Sequence, residues 1–301
     1  MSETGAIIAV GGFDGVHLGH QAILDTARRL ARELNTIPGV LTLDPLPAQL
    51  LNPDFTFVLT PLEEKIQLLK ELGAAFVRVI RFDEPVSRLE PAEFVEREVL
   101  ALEPRAVVVG HDHRFGHRGR GDVDFLRRQL EPRGVRVEVV PEFVLRDAPV
   151  RSTRIRERLL LGDVGRAAEL LGRHYRVAGP VVTGTGTGRR LGFPTLNIAV
   201  REKEKLVPAD GVYAAWAVLN GRRRPAALNI GHRPTFGGET RTVEAHLLDG
   251  KVTATPAHLA VLFVARLRPE RRFPDQEALA RRIAEDAAAA RRILGDAGRD
   301  A

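Results

Sequence analysis

Short apolar runs alternate with segments of helical spacing through the first half of the chain, and this alternation constrains the fold more than any other feature. The runs predict buried strands at 6–10, 40–43, 77–82, 106–109 and 135–140. Between the first two, Ile23, Ala27, Leu30 and Leu34 recur at the spacing of one helical face. Strands that alternate with helices predict a doubly wound α/β domain around a parallel sheet.

A second pattern begins after residue 150. Two helices are predicted over about 152–161 and 163–172. The predicted strands that follow lie at 212–219, 222–230, 242–248 and 258–267. Asn220-Gly221 predicts a type I′ hairpin between the first two, and a last helix is predicted over about 275–294. These elements predict a small β-barrel with a C-terminal helix, and we place the boundary so that the domains are residues 1–174 and 175–301.

The composition excludes several classes of site and partner. No cysteine is present, so disulfides, thiolate metal ligands and cysteine nucleophiles are excluded. The net charge is +6, but the arginines are scattered among Asp and Glu, which favours compositional bias over a nucleic-acid groove and remains compatible with an anionic substrate. The apolar run at 6–10 is too short for a signal-peptide core or a membrane span. We therefore expect a cytoplasmic protein with no membrane or nucleic-acid partner.

Residues 11–20, GGFDGVHLGH, link the first predicted strand to the first predicted helix. At this place an α/β sheet presents backbone N–H groups and a helix N-terminus to phosphate. His17 and His20 lie three residues apart, hence on one face of the first helical turn, where two imidazoles could neutralise charge on a leaving pyrophosphate. The alternative is a tight turn with two incidental histidines, but His-x-Gly-His at this position favours a site.

This segment is the signature of the nucleotidylyltransferases, and the chain from about residue 8 to 290 resembles the bifunctional riboflavin kinase/FAD synthetases of bacteria. Residues 109–116 (VGHDHRFG) with 119–122 (GRGD) resemble the second adenylyltransferase motif of that family, and 152–156 (STRIR) resemble the third. The resemblance implies that His17 and His20 act in adenylyl transfer. It also implies nucleotide contacts from Gly12, Phe13, Asp14, Gly19, Asp112, Ser152, Thr153 and Arg154.

Chemistry alone also predicts an anion site at the third motif, because two hydroxyl groups at a helix start are followed by the guanidinium of Arg154. A plain N-cap is the alternative role of Ser152, and both roles can coexist. Thr60-Pro61-Leu62-Glu63 predicts a capping box for another helix. Two residues depart from the family pattern: Leu46 stands where His is usual, and His113 stands where Phe is common.

Residues 184–189, GTGTGR, form a glycine-rich loop in the second half. They lack the Lys-Ser/Thr of a P-loop, and a strand rather than a helix is predicted next, so neither a P-loop nor a dinucleotide fingerprint fits. Residues 190–197 (RLGFPTLN) resemble the riboflavin kinase motif in which a Thr and an Asn hold the nucleotide-bound magnesium. These are Thr195 and Asn197, and the resemblance adds nucleotide contacts from Gly184, Gly186 and Gly188.

Three further segments, 207–214, 229–236 and 243–248, match the same kinase. The family's base, which takes the proton from the ribityl 5′-hydroxyl, corresponds to Glu244. On chemistry alone, a Glu among apolar strand residues would more readily face solvent. Residues 249–258 depart from the family pattern.

The resemblance implies two sequential reactions. Riboflavin and ATP give FMN, and FMN and ATP then give FAD and pyrophosphate, with Mg²⁺ as cofactor. The expected partners are riboflavin, FMN and ATP, and homo-oligomerisation is left open. Three alternatives remain: a different adenylyl- or cytidylyltransferase, a riboflavin kinase with an impaired adenylyltransferase domain, and a basic nucleic-acid-binding protein.

Overall fold

The computed structural model describes residues 5–184, 186–200, 204–235, 238–250 and 255–297. The chain divides into two compact units, residues 1–152 and 153–301. Thr185 of the glycine-rich loop, Phe236 of the segment 229–236, and residues 251–254 of the departing segment lie outside the described residues.

The first unit is built on a five-stranded parallel sheet, which confirms the predicted doubly wound α/β architecture. Its strands are β1 (Ala6–Val10), β2 (Ile37–Asp44), β3 (Phe76–Arg81), β4 (Pro104–Gly110) and β5 (Arg136–Val140). Their order across the sheet is β3-β2-β1-β4-β5. Two short strands of two residues each, β6 (Val144–Leu145) and β7 (Ala148–Pro149), follow β5 and pair with each other.

The helices of this unit are α1 (Leu18–Glu33), α2 (Pro47–Leu51), α3 (Leu62–Glu71), α4 (Glu84–Ser87), α5 (Pro91–Phe94) and α6 (Val123–Leu130). Ile7 and Ala9 of β1 belong to the apolar core that includes the buried face of α1. Ile8 and Val10 belong to the core on the opposite face, with residues of α6. Both faces of β1 are covered, which explains its uninterrupted apolar run.

The second unit contains a closed antiparallel barrel with strand order β10-β11-β12-β9-β8-β13, as predicted. The strands are β8 (Tyr175–Val182), β9 (Leu196–Ile198), β10 (Gly211–Leu219), β11 (Arg222–Thr235), β12 (Gly238–Leu247) and β13 (His258–Arg268). The predicted type I′ turn is confirmed, because Asn220 and Gly221 both have positive φ, 49° and 76°.

Four helices accompany the barrel: α7 (Ser152–Leu160), α8 (Val164–Leu171), α9 (Thr187–Arg190) and α10 (Gln276–Ala297). α9 is a single helical turn that overlaps the end of the glycine-rich loop, and the next element after it is strand β9, as predicted. Ala287, Ala290 and Leu294 of α10 are buried in one cluster with Ala214 of β10 and Ala227 of β11. The predicted C-terminal helix is therefore held on the barrel by apolar residues.

Candidate active sites

The loop between β1 and α1 is held in a tightly specified conformation. Phe13 and Val16 are fully buried and have positive φ values of 51° and 40°. A positive φ is unusual for any residue with a side chain and most costly for a β-branched one, so the surrounding structure must impose it. The loop is therefore preformed.

The carboxylate of Asp14 holds this loop in place. Its Oδ1 accepts hydrogen bonds from the backbone N–H groups of Leu59, at 2.9 Å, and Thr60, at 3.0 Å. Thr60 Oγ1 in turn accepts from the Gly15 N–H at 2.9 Å. α3 consequently begins at Leu62 without a capping bond from Thr60, and the predicted capping box was wrong because this hydroxyl is used on the loop instead.

Ser152, the first residue of the third predicted motif, bonds to the loop of the first motif. Its Oγ donates to the backbone oxygen of Asp14 at 2.8 Å. Ser152 is also the first residue of α7, and Thr153 and Arg154 continue that first turn. Hydroxyl and guanidinium groups at a helix start suit an anionic ligand.

His17 is the buried N-cap of α1, and its ring stacks on the ring of His20 with centroids 3.6 Å apart. His17 Nδ1 accepts from the His20 backbone N–H at 3.4 Å. A Cβ on Gly19 would lie 3.3 Å from the His17 ring, so this glycine leaves room for the stack.

The second predicted motif follows β4 at the same end of the sheet. Asp112 is exposed, and its Oδ1 lies 3.4 Å from the position that a Cβ on Gly110 would take. The half-buried ring of His113 stacks near Phe115 with centroids 5.6 Å apart, and burial lowers the pKa of His113 to about 4. His113 is therefore a neutral aromatic ring at neutral pH.

Leu46, the other departure, lies directly beside the loop. Its side chain is largely buried, and its Cδ2 would be 3.3 Å from a Cβ on Gly12. It also precedes α2, and its N–H donates to Gln49 Oε1 at 2.8 Å. An apolar side chain thus lies against Gly12 of the loop.

Sequence reasoning missed Lys65 of α3. Its side chain is 1% exposed, and its Nζ donates to the carbonyl oxygens of Gly12 and Leu43. Lys65 and Leu69 are the two buried residues of α3, so the signal in the sequence was a lysine on the apolar face of a helix.

In the second unit, the structure brings Thr195, Asn197 and Glu244 together. Thr195 Oγ1 donates to Glu244 Oε2 at 3.2 Å. Asn197 of β9 is paired with Glu244 of β12 in the antiparallel register. Asn197 is 7% exposed, and its Oδ1 has no hydrogen-bond partner among the residues that the structure describes. Buried polar oxygens are normally paired, so this one indicates a missing ligand.

The glycine-rich loop passes against this cluster. A Cβ on Gly184 would lie 2.4 Å from Asn197 Nδ2, so the loop touches the amide only because residue 184 has no side chain. A Cβ on Gly188 would lie 2.4 Å from the backbone oxygen of Phe193, and Gly186 has a φ of 74° in open space. Gly184 and Gly188 allow close packing, and Gly186 allows a positive φ that residues with a side chain rarely adopt.

A cavity of about 430 Å³ adjoins the cluster. Thr195, Glu244 and His246 line it together with apolar side chains that include Phe273, Leu279 and Ile283. Its wall contains a buried ion pair that the sequence did not reveal: Arg268 Nη2 lies 2.8 Å from Asp286 Oδ2 and joins β13 to α10. The cavity combines an apolar part with polar and charged side chains, as ligand sites do.

The polar cluster fits a magnesium ion. Hydroxyl, amide and carboxylate oxygens are the ligands of a hard cation that takes its remaining ligands from phosphate and water. Among the described residues there is no group of three or more His, Cys, Asp or Glu that could hold a metal by itself. Thr195 and Asn197 are the residues that would hold such an ion.

Comparison with known proteins identifies both units. The FAD synthetase family matches residues 1–154, and the riboflavin kinase family matches residues 171–294. A Bacillus subtilis protein named bifunctional riboflavin kinase/FMN adenylyltransferase is 33% identical over 286 residues, covering 93% of this chain and 90% of its own. A Pseudomonas fluorescens protein of the same name is 36% identical over 284 residues, covering 94% and 91%.

A solved structure matches nearly the whole chain as well. The crystal structure of a Streptococcus pneumoniae protein described as a macrolide-efflux protein has a TM-score of 0.88 and 26% identity, covering 97% of this chain and 95% of its own. Within the described part of this chain, no helix is both long and apolar enough to cross a membrane. The chain belongs to the bifunctional riboflavin kinase/FMN adenylyltransferase family, with its FAD synthetase part first and its riboflavin kinase part second.

Proposed function

We propose that two separate groups of side chains, one around the loop between β1 and α1 and one in the barrel, carry the two reactions of this family. The chain phosphorylates riboflavin to FMN with ATP, and it adenylylates FMN to FAD with release of pyrophosphate. The observation that carries this assignment is the meeting of the Glu244 carboxylate, the Thr195 hydroxyl and the buried Asn197 amide oxygen beside one cavity.

In the kinase reaction, Glu244 takes the proton from the 5′-hydroxyl of riboflavin. The hydroxyl oxygen then attacks the γ-phosphorus of ATP, and the bond from that phosphorus to the bridging oxygen breaks to leave ADP. The hydrogen bond from Thr195 orients the carboxylate. Thr195 and Asn197 would hold Mg²⁺, which would supply charge neutralisation on the phosphates. Phe273, Leu279 and Ile283 give the apolar side of the cavity that the flavin ring needs.

In the adenylyl reaction, the FMN phosphate is already an anion and needs no general base. One of its oxygens attacks the α-phosphorus of ATP, and pyrophosphate leaves. His17 and His20 donate to the charge that develops on the leaving group. The predicted nucleotide contacts of this site are Gly12, Phe13, Gly19, Asp112, Ser152, Thr153 and Arg154. Asp14 contributes by holding the loop, since its carboxylate is bonded to the backbone of residues 59 and 60.

Separating the two reactions tests the assignment. His17→Asn should lower FAD formation from FMN by roughly 10²-fold or more and leave riboflavin phosphorylation unchanged, because only the first reaction uses this imidazole. His258→Asn, at the exposed start of β13, is the matched control and should change neither reaction. Unchanged FAD formation in His17→Asn would remove His17 from the catalytic role.

A second candidate function is favoured by Leu46, which cannot bond to phosphate: a riboflavin kinase whose adenylyltransferase unit is impaired. Such a protein would convert riboflavin to FMN and stop there. Nucleic-acid binding is the weaker alternative, and the absence of a steep salt dependence in an RNA titration would dismiss it. A cytoplasmic location, with riboflavin, FMN and ATP as the partners, belongs to the proposal because both reactions consume ATP.

The functional boundary between residues 174 and 175 also belongs to the proposal. The compact second unit begins at residue 153, and the riboflavin kinase match begins at residue 171. Within that unit, the Ala209 N–H donates to the Leu159 carbonyl of α7 at 2.9 Å, and Arg266 Nη1 donates to the Leu161 carbonyl at 3.1 Å. The proposal is that α7 and α8 support the barrel without supplying kinase groups.

A further inference from the structure

Lys65 is a buried lysine with no role in either reaction as described so far. It lies on α3 with 1% of its surface exposed, and its Nζ lies 2.9 Å from the carbonyl oxygen of Leu43 and 3.3 Å from that of Gly12. Full burial is rare for lysine, because removing an ammonium group from water is costly. The burial of this lysine therefore indicates a role for its charge in the first unit.

The two acceptors lie at the carboxyl ends of neighbouring strands. Gly12 follows the end of β1 by two residues, and Leu43 is the second-last residue of β2. The hydroxyl of Thr42 also donates to the Gly12 carbonyl, at 3.2 Å. Two side chains therefore fix the direction of this one carbonyl.

Fixing the Gly12 carbonyl also fixes the N–H group of Phe13. The two belong to one peptide unit, and in a trans peptide the carbonyl and the N–H point in opposite directions. With its carbonyl drawn to Lys65, the unit directs the Phe13 N–H away from Lys65. Backbone N–H groups of such loops are the usual phosphate donors at this place in an α/β sheet.

The charge of Lys65 is not cancelled by direct contact. Among the described residues, its Nζ bonds to the two carbonyls, and no carboxylate lies within ion-pair distance. Burial lowers its pKa, while Asp44 and Asp14 act at longer range to raise it. An ammonium group has three N–H donors, so one remains beyond those that the two carbonyls accept. A positive charge in this position attracts an anion to the loop.

We propose that Lys65 is a positioning residue for adenylyl transfer: from behind the loop, it fixes the Gly12–Phe13 peptide and adds a buried positive charge that favours the triphosphate of ATP. This inference rests on the proposed function of the loop as the nucleotide site. It predicts that loss of Lys65 raises the KM for ATP more than the KM for FMN. It also predicts that this loss impairs FAD formation and not riboflavin phosphorylation.

The direct test compares Lys65→Met with Lys70→Met in the full chain. Lys70 is exposed on the same helix, so its variant is the matched control. In FAD formation, Lys65→Met should raise the KM for ATP by roughly tenfold or more, while the KM for FMN changes by less than about threefold. Riboflavin phosphorylation by the same preparation should stay unchanged, and the nearly unchanged KM for FMN reports that the first unit is folded.

Several outcomes would overturn the inference. A KM for ATP in Lys65→Met equal to that of Lys70→Met would do so, as would an equal rise in the KM for FMN, since a merely structural role affects both substrates. If the wild type makes no FAD at all, the proposed function of the first unit fails, and this result is distinct from either outcome above.

A chemical rescue covers the case in which Lys65→Met does not fold. The chain contains no cysteine, so Lys65→Cys can be aminoethylated at one place in urea and refolded. The product carries an ammonium group on a side chain of almost the same length. Recovery of the KM for ATP on aminoethylation supports the inference. Failure to recover, with the wild type intact after the same treatment, contradicts it.

Discussion

Thr195 Oγ1 donates a hydrogen bond to Glu244 Oε2 over 3.2 Å. Glu244 lies on β12, and Thr195 precedes β9, where Asn197 is paired with Glu244 in the register. The antiparallel pairing of two strands thus places the proposed base beside both proposed metal ligands. On chemistry alone, Glu244 would face solvent. It lies within a polar cluster because the neighbouring segment carries Thr195 and Asn197.

Glu244→Gln should abolish most of the kinase activity. A glutamine cannot accept the proton, and loss of a positioned general base costs roughly 10²–10⁴-fold in rate. FAD formation from FMN should stay near the wild-type rate. The measurement is the rate of FMN formation from riboflavin. Glu277→Gln, on the exposed first turn of α10, is the control. A full riboflavin phosphorylation rate in Glu244→Gln would exclude Glu244 as the base.

Gly184→Ala should impair the kinase through Asn197. The new methyl group would lie 2.4 Å from Asn197 Nδ2, so the amide must move. We expect a higher Mg²⁺ concentration for half-maximal phosphorylation, with a loss of activity of roughly tenfold at low Mg²⁺. Gly165→Ala on α8 meets nothing within 4 Å and serves as the control. If the dependence of phosphorylation on Mg²⁺ concentration is unchanged in Gly184→Ala, then the loop at residue 184 does not determine the position of Asn197.

His113→Phe should make the protein less sensitive to mild acid. Because burial lowers the pKa of His113 from 6.5 to about 4, the unfolded chain binds this proton more readily than the folded chain. Stability is therefore lost as the pH falls from about 6.5 towards 4, by about 1–2 kcal/mol at pH 5. The urea midpoint of the wild type should drop between pH 7 and pH 5 by more than that of His113→Phe.

The exposed histidine His111 provides the control for that experiment. His111→Phe should keep the wild-type pH dependence of the urea midpoint. If His113→Phe loses as much stability as the wild type over this pH interval, then His113 is not the titrating group.

Leu46→His should improve FAD formation without being required for it. Leu46 cannot bond to phosphate, but the nucleophile is an anion and His17 and His20 are in place. We expect the missing imidazole to cost on the order of 1–3 kcal/mol, mainly in binding, so that Leu46→His lowers a KM rather than creating activity. Leu50→His, exposed on α2, is the control. FAD formation by Leu46→His alone would identify the wild type as a kinase with a silent first unit.

The fold and the family could be predicted because their signals are local. Apolar residues at helical spacing, alternating with uninterrupted apolar runs, predicted the parallel sheet, and Asn220-Gly221 predicted the hairpin. The motifs predicted both activities, which the family matches confirm. The proposed roles of the individual site residues stay predictions that the mutants above test.

Long-range polar contacts could not be predicted in the same way. Asp14 is read from the sequence as a nucleotide contact, yet its carboxylate is bonded to backbone 45 and 46 residues away. Arg268 and Asp286 resemble ordinary surface charges in the sequence, but their ion pair is buried in the cavity wall. Which polar residues contact each other over long range depends on how helices and strands pack. The periodicity of the sequence carries no information about that packing.

A time course with the full chain, riboflavin, ATP and Mg²⁺ tests the central claim most directly, with FMN and FAD separated by chromatography. If two sites act in sequence, FMN appears first, rises and then falls as FAD accumulates, and pyrophosphate appears in step with FAD. FMN that accumulates to completion without FAD would contradict the account, and so would FAD that forms only when a second enzyme is added.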